Sequence, residues 1–227
     1  MNMQRQKIQI IETNDGSHTL SNSYCGDSYH SVFGAITEAE HIFIRHGLQT
    51  IEKSHIHIFE MGFGTGLNAL LSLLYALRSK KTIYYHTIEK FPLDNTIIDQ
   101  LNYPSLLGEN AVRYYALLHS LPWNEEYCVE EYFYFKKNYG CLLEHSFIDD
   151  YYDGVFYDAF SPDKDPALWS EDIFQRLSVS MHEGAVLCTY SCKGIVKRAL
   201  RAAGMKVQRV AGPPGKREIL IAKKITD

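Results

Sequence analysis

The 227-residue chain lacks most of what would mark it for a special environment. It has no C-x-x-C pair, and its five cysteines (Cys25, Cys128, Cys141, Cys188 and Cys192) are odd in number, which indicates neither a disulfide framework nor a zinc ribbon. Reduced thiols are the default. It has no long hydrophobic run: the longest largely apolar stretch, Ala69 to Leu77, is about half a membrane span. No charged segment followed by an apolar one opens the chain, so a cytoplasmic protein with no membrane contact is expected. No Pro/Gly/Ser-rich linker, internal repeat or low-complexity stretch divides it. It also lacks net positive charge: 23 Lys and Arg against 27 Asp and Glu give −4, which excludes a uniformly basic nucleic-acid binder. What is present is ordinary for a globular domain, 45% hydrophobic and 22% charged, with enough chain for a self-sufficient core. The charge is unevenly spread. From Lys193 to Asp227 ten Lys and Arg stand against Glu218 and Asp227, a net +8, while the first 192 residues carry −12. Such a segment is either a polyanion-facing patch or the solvated side of a last helix and strand.

The patterning predicts an N-terminal extension over residues 1–50 and a main domain over residues 51–227. Alternation in Lys7 to Thr13, the turn signal Asn14-Asp15-Gly16 and the stretch His18 to Tyr24 suggest a β-hairpin, and Glu38 to His46 a short helix. Strands then alternate with helices: Ile56 to Phe59, a helix over Leu67 to Arg78, Thr82 to Ile88, irregular helical pieces over Leu93 to His119, and a strand within Glu131 to Lys136. Gly154 to Tyr157 is a strand, Asp165 to Met181 has helical periodicity, and Ala185 to Tyr190 is a strand after the turn Glu183-Gly184. Lys193 to Ala203 forms a basic amphipathic helix, and Val207 to Ala211 and Glu218 to Lys223 are closing strands. The expected fold is α/β, an open Rossmann-like sheet with helices on both faces, whose ligand site lies beyond the C-terminal strand ends.

The first core strand ends in Glu60-Met61-Gly62-Phe63-Gly64-Thr65-Gly66-Leu67-Asn68, where glycines at every second position turn the backbone sharply and expose amide N–H groups to a ligand. A dinucleotide fingerprint has its third glycine one residue later and no acid before the first. Glu60 would repel a pyrophosphate but not a zwitterionic amino acid bearing a sulfonium. The pattern resembles motif I of class I S-adenosylmethionine methyltransferases. Glu89 closes the second strand where a carboxylate accepts ribose hydroxyls, a device shared with NAD folds.

Further segments match a narrower family: Asp27-Ser28-Tyr29-His30-Ser31 with Gly34 and Glu38, Glu89-Lys90-Phe91-Pro92-Leu93, Asp158 to Pro166 (DAFSPDKDP) with Trp169, and Gly212 to Glu218 (GPPGKRE). Together they resemble the methyltransferase domain of MnmC, the bifunctional tRNA 5-methylaminomethyl-2-thiouridine biosynthesis protein, and its stand-alone homologues. The resemblance implies S-adenosylmethionine-dependent methylation of the amine of 5-aminomethyl-(2-thio)uridine at the tRNA wobble position, with the tRNA anticodon region as partner and upstream wobble-uridine modification enzymes supplying the substrate. It carries Tyr29, Glu60, Gly62, Gly64, Gly66, Asn68, Glu89 and Lys90 as cofactor-binding residues, Asp158 as the catalytic residue, and Phe160, Pro162, Trp169, Lys216 and Arg217 as substrate residues. In the fused proteins an FAD-dependent oxidoreductase domain first removes a carboxymethyl group, and this chain is expected to lack it. Two positions depart from the pattern. Gly140-Cys141 stands where Gly-Asp is usual, which removes the acidic contact at the adenine or displaces it to Asp149 or Asp150. His30 stands where an aromatic such as Phe is common, and a stacking role survives that change.

Methyl transfer from a sulfonium to nitrogen needs a neutral amine behind the methyl carbon. If the amine titrates like lysine, only about one molecule in 10³ is neutral at pH 7, a handicap of roughly 4 kcal/mol. Asp158 can hydrogen-bond the amine, receive its proton directly or through water, and counter the charge developing on nitrogen. The bland alternative makes it a loop cap. Phe160 and Trp169 are placed to stack on or wall in the uracil, with packing the alternative for Trp169. Ser161-Pro162 shapes the loop, and Lys216 and Arg217 are candidate phosphate anchors. No metal is expected: His55-x-His57 has no partner acid at ligand spacing and is read as core or surface. Tyr114-Tyr115 and Tyr132 to Phe135 read as core and strand residues, and Cys188 and Cys192 as buried inert thiols. Two rivals remain, a methyl- or aminopropyltransferase for a polyamine-like substrate and a non-catalytic tRNA-binding scaffold.

Overall fold

The computed structural model describes residues 8–22 and 27–225. Lys7, Tyr24, Cys25 and Asp227, named above, lie outside the described residues. The expected hairpin is present, with β1 (Ile8–Glu12) antiparallel to β2 (His18–Asn22) and a short β3 (Asp27–Ser28) on the far side of β2. Asp15 fixes the turn. Its Oδ1 accepts from the Ser17 amide at 3.0 Å and its Oδ2 from the Thr37 amide at 2.9 Å, tying the hairpin to the start of α1 (Ala35–Ala39).

The helix expected from Glu38 to His46 begins earlier, at Ala35. After Ala39 it widens into i→i+5 turns over Glu40–Arg45, closed by the His46 amide on the His41 carbonyl at 3.3 Å. The main sheet contains β4 (His55–Met61), β5 (Thr82–Glu89), β6 (Glu126–Glu130), β7 (Phe133–Tyr139), β8 (Tyr152–Tyr157), β9 (Met181–Thr189), β10 (Met205–Ala211) and β11 (Glu218–Lys224). Their spatial order is β10-β11-β9-β8-β4-β5-β7-β6. The five strands β9, β8, β4, β5 and β7 are parallel, and antiparallel β11-β10 and β6 close the two edges.

Every residue of β8 is buried, as expected for a parallel strand covered on both faces. The helices are α2 (Leu67–Ser79), α3 (Asn95–Ile98), α4 (Tyr103–Leu107), α5 (Glu109–Ser120), α6 (Glu171–Ser180) and α7 (Gly194–Ala202). Leucine and alanine dominate α2, whose first seven residues are all buried; it ends at Lys80, whose amide bonds to the Ala76 carbonyl. Two apolar clusters fill the molecule. One gathers α1, α2 and α5 with Phe133 and Phe135, the other α6 and α7 around Trp169.

Two departures from the sequence reading concern edges and irregularities. The single strand expected in Glu131 to Lys136 is a hairpin, and β6 escaped notice because its residues alternate between exposed and half-buried and carry no apolar period. The strand expected to start at Ala185 begins at Met181 and runs through Gly184 at φ 76°, where its pairing with β8 shifts register.

Strand order reverses at β4, which lies between β5 and β8. The registers Met61↔Ile88 and Met61↔Tyr157 bring the glycine loop, Glu89 and Asp158 to one rim of the sheet. Such a switch point opens a crevice between loops that leave in opposite directions.

Candidate active site

The crevice is a cavity of about 350 Å³ lined by the glycine loop, Glu89 to Phe91, Cys141 to Leu143, Asp158 to Phe160, Tyr29, Glu38 and Lys216 among others. The loop is held open by its backbone. Gly62, Gly64 and Gly66 have φ of 92°, 50° and 75°. A Cβ on Gly66 would lie 2.6 Å from His119 Nε2, so this glycine is required by packing beneath the loop. The Gly62 amide donates to the Ile88 carbonyl at 3.0 Å, and the Asp158 amide to the Met61 carbonyl at 3.2 Å, which locks the three rim loops together.

Glu89 grips the loop. Its Oε2 accepts from the Gly64 amide at 3.0 Å and its Oε1 from the Phe91 amide at 2.7 Å. Tyr29, after β3, lies over Gly64 and meets Phe160 edge to face at 5.2 Å. Asp158 receives one side-chain hydrogen bond, from Asn68 Nδ2 to Oδ2 at 3.0 Å. Its carboxyl is pushed up to about 7, first by burial and then by the charge of Glu38, against the Asn68 bond and the Lys216 charge. At neutral pH it is therefore poised between donor and acceptor of a proton.

The structure brings Tyr29, Gly62, Gly64, Asn68, Glu89, Lys90, Asp158, Phe160 and Lys216 together on the cavity wall. The remaining candidates lie elsewhere. Glu60 is fully buried below the wall, beside Thr87, Asn68, Tyr85 and Asp158; burial, the largest cause, pushes its carboxyl up to about 8, so it is a neutral acid there at pH 7. Gly66 lies behind the loop. Trp169 is wholly buried, donates from Nε1 to the Phe160 carbonyl at 2.8 Å and packs on Tyr157 and Phe174, so it holds the Asp158 loop from inside and cannot stack on a base. Pro162 is buried outside the wall, and Arg217 is exposed beyond it. Lys216 is paired with Glu38 at 3.2 Å rather than turned outward for a phosphate.

His30 reaches the cavity wall, with its ring turned to the glycine loop. It is buried and bonds Thr65 Oγ1 through Nε2 at 2.9 Å, supporting the loop. Cys141 lines the cavity whereas exposed Asp149 and Asp150 do not, so neither acid takes the vacated position. Cys188 is buried with its thiol pushed well up, and Cys192 is half-buried. His57 is sandwiched between Tyr84 and Tyr151, and no cluster of metal-ligating side chains occurs among the described residues.

Sequence reasoning missed Glu38, Phe63, Phe91, Leu142, Leu168 and Tyr190 as wall residues. For Glu38 a signal existed. It shares the buried face of α1 with Ala35 and Ala39, and a charge inside an apolar stripe needs a reason.

A family model described as S-adenosyl-L-methionine-dependent methyltransferase matches residues 141–225. Curated relatives include two tRNA 5-methylaminomethyl-2-thiouridine biosynthesis bifunctional proteins named MnmC. That of Ectopseudomonas mendocina is 32% identical over 92% of this chain and 34% of its own length; that of Methylobacillus flagellatus is 29% identical over 88% and 33%. The chain thus spans about a third of the curated relatives it matches. Among solved structures, MnmC2 of Aquifex aeolicus superposes with a TM-score of 0.79 at 29% identity, covering 99% of this chain and 73% of that one. Spermidine synthase of Thermotoga maritima, TM-score 0.57 at 14% identity over 98% of this chain and 70% of its own, shares the fold alone.

Strand order, rim cavity and glycine loop define a class I S-adenosylmethionine methyltransferase fold. Within that class, the chain is similar over most of its length to the MnmC proteins. Its residues fit S-adenosylmethionine: α2 begins behind the loop with no side-chain cap, leaving first-turn amides for a carboxylate. Glu89 stands where a ribose would bond, and Phe91, Cys141 and Leu142 form an apolar end suited to adenine. No helix among the described residues is long and apolar enough to cross a membrane.

Proposed function

We propose that this chain methylates the amine of 5-aminomethyl-(2-thio)uridine at the wobble position of tRNA, in the cytoplasm, on tRNA that upstream modification enzymes have already prepared. The observation that carries the reading is Asp158, a carboxylate at the cavity wall with a single side-chain hydrogen bond and a proton affinity raised to about 7. Bound S-adenosylmethionine would supply a methyl group on a positively charged sulfur, released as the C–S bond breaks. The glycine loop, Asn68 and Glu89 hold that donor, with exposed Lys90 at its rim.

Asp158 accepts a hydrogen bond from the acceptor amine, takes its proton and offsets the charge that appears on nitrogen. Phe160 and Tyr29, edge to face, form an aromatic corner against which an extruded base can lie. Exposed Arg217, in the turn next to Lys216, supplies a cation for phosphates of the anticodon arm. Residues 1–50 act as an extension of the 51–227 domain, contributing Tyr29 and Glu38 to the wall.

The test is incubation with isotope-labelled S-adenosylmethionine and tRNA from cells lacking this gene, followed by nucleoside analysis. Label in 5-methylaminomethyl-(2-thio)uridine is expected. Label confined to another nucleoside, or to a free polyamine supplied in competition, would overturn the reading.

A further inference from the structure

Glu38 and Lys216 carry the least explained polar contact of the cavity. Glu38 is 7% exposed on an otherwise apolar helix face. Its Oε2 accepts from the Ser31 amide at 2.7 Å, but its Oε1 receives no hydrogen bond and has only the Lys216 ammonium, 3.2 Å away. Lys216 reaches in from the turn between β10 and β11, with Nζ 5.0 Å from the centre of the Tyr190 ring. Both side chains line the same cavity as Asp158, and both charges act on it in opposite senses. The cavity is lined by four carboxylates, Glu38, Glu89, Asp158 and Asp165, against two ammoniums, Lys90 and Lys216, so a further cation is accommodated there.

We propose that Glu38 is a positioning residue of the acceptor site, which with Asp158 selects an acceptor arriving as an ammonium, and that Lys216 is the counter-charge that leaves Asp158 as the proton acceptor. This rests on the amine-methylation reading above. The acceptor ammonium enters between the carboxylates and one N–H proton passes to Asp158. The freed lone pair then forms the N–C bond while the C–S pair stays on the donor sulfur, and the proton leaves Asp158 for water at the cavity mouth. Glu38 strengthens proton capture through its charge on Asp158, and Lys216 opposes it. The neutral amide of Asn68 on α2 also bonds Asp158, and the charge of Asp158 in turn raises buried Glu60 on β4 and Tyr85 on β5; Glu89, Lys90, His30 and Asp165 line the same cavity.

Glu38→Gln and Lys216→Met break the same ion pair, so a merely structural bridge predicts the same consequence from both. The charge pair predicts opposite ones. The acid limb of kcat/KM should move down by about one pH unit in E38Q and up by about one in K216M, and KM for tRNA should rise in E38Q. Carboxyl ¹³C titration of Asp158 reads the same two shifts without turnover, and thermal melting checks that both variants are folded. Shifts in one direction, or none, overturn the proposal. If the wild type transfers no methyl group to tRNA yet the titration shifts are opposed, the charge pair stands and the function reading falls. Transfer with parallel shifts gives the reverse.

Discussion

β8 carries an aspartate at each end. Asp153, its second residue, lies at the N-terminal edge of the parallel sheet; Asp158 follows its last residue at the C-terminal rim. Asp153 is saturated: Lys53 Nζ at 2.5 Å and His182 Nδ1 at 2.9 Å share its Oδ1, and the His57 amide donates to Oδ2 at 2.9 Å. Asp158 has one amide hydrogen bond, a neighbouring carboxylate, and a cavity in front of it. The same residue type on the same strand is thus a clamp below and a reactive group above. A carboxylate provided with cations and amides contributes to the fold, whereas one kept short of partners stores proton affinity for use on a ligand.

The largest expected effect lies at the upper end. Asp158→Asn keeps the shape and the loop but removes the proton acceptor, and should lower kcat by about 10²–10⁴-fold while the melting temperature stays level or rises. The wild-type profile should match: because burial raises Asp158 to about 7, kcat/KM climbs with pH and levels off above that value. Next comes the lower end. Asp153→Ala removes the partner of His182 and of the exposed Lys53 ammonium and leaves the His57 amide unpaired, so unfolding in denaturant should reveal a loss of about 1–3 kcal/mol, with kcat of the surviving folded protein near wild type. If D153A loses turnover without stability, or D158N loses stability without turnover, the contrast between the two ends is wrong.

How much of this contrast was legible in the sequence depends on what each feature leaves in the chain. The glycine loop, the strands flanking it and Asp158 were legible because they are local: glycine spacing forces the turn, and an apolar run ending in Asp marks a strand end. β6 was not, since an exposed edge strand has no period to show. Pro162, Trp169 and Arg217 were legible as members of a motif but not as to which way they face, which is set by tertiary packing such as the bond from Trp169 to the Phe160 carbonyl. Lys216 and Glu38 are 178 positions apart and meet only because the β10-β11 turn folds over α1. Nothing in either local sequence announces a pair of that kind.

The smallest expected effect concerns Glu60, which is buried under the rim beside Asp158. Neither of its oxygens finds a hydrogen bond, and burial raises its carboxyl to about 8. In the unfolded chain a glutamate titrates near 4.3, so between roughly 4.3 and 8 the folded protein keeps a proton that the unfolded one releases. The stabilisation that goes with this proton is complete below the lower value and is lost as pH rises through the upper one. Glu60→Gln keeps the neutral form at every pH. Its stability relative to wild type should therefore rise across the window by up to about 1.4 kcal/mol per pH unit, above a pH-independent offset from packing of the amide that is read at pH 4.5. Denaturant unfolding of both proteins at pH 4.5, 6 and 7.5 reads it directly. A pH-independent difference would mean that Glu60 is ionised in the fold, held by the unpaired hydroxyls of Tyr85 and Thr87 and by Asn68. The rim would then contain one more fixed negative charge beside Asp158, and the acid limb of the rate profile would have to be explained by Glu60 as much as by Glu38.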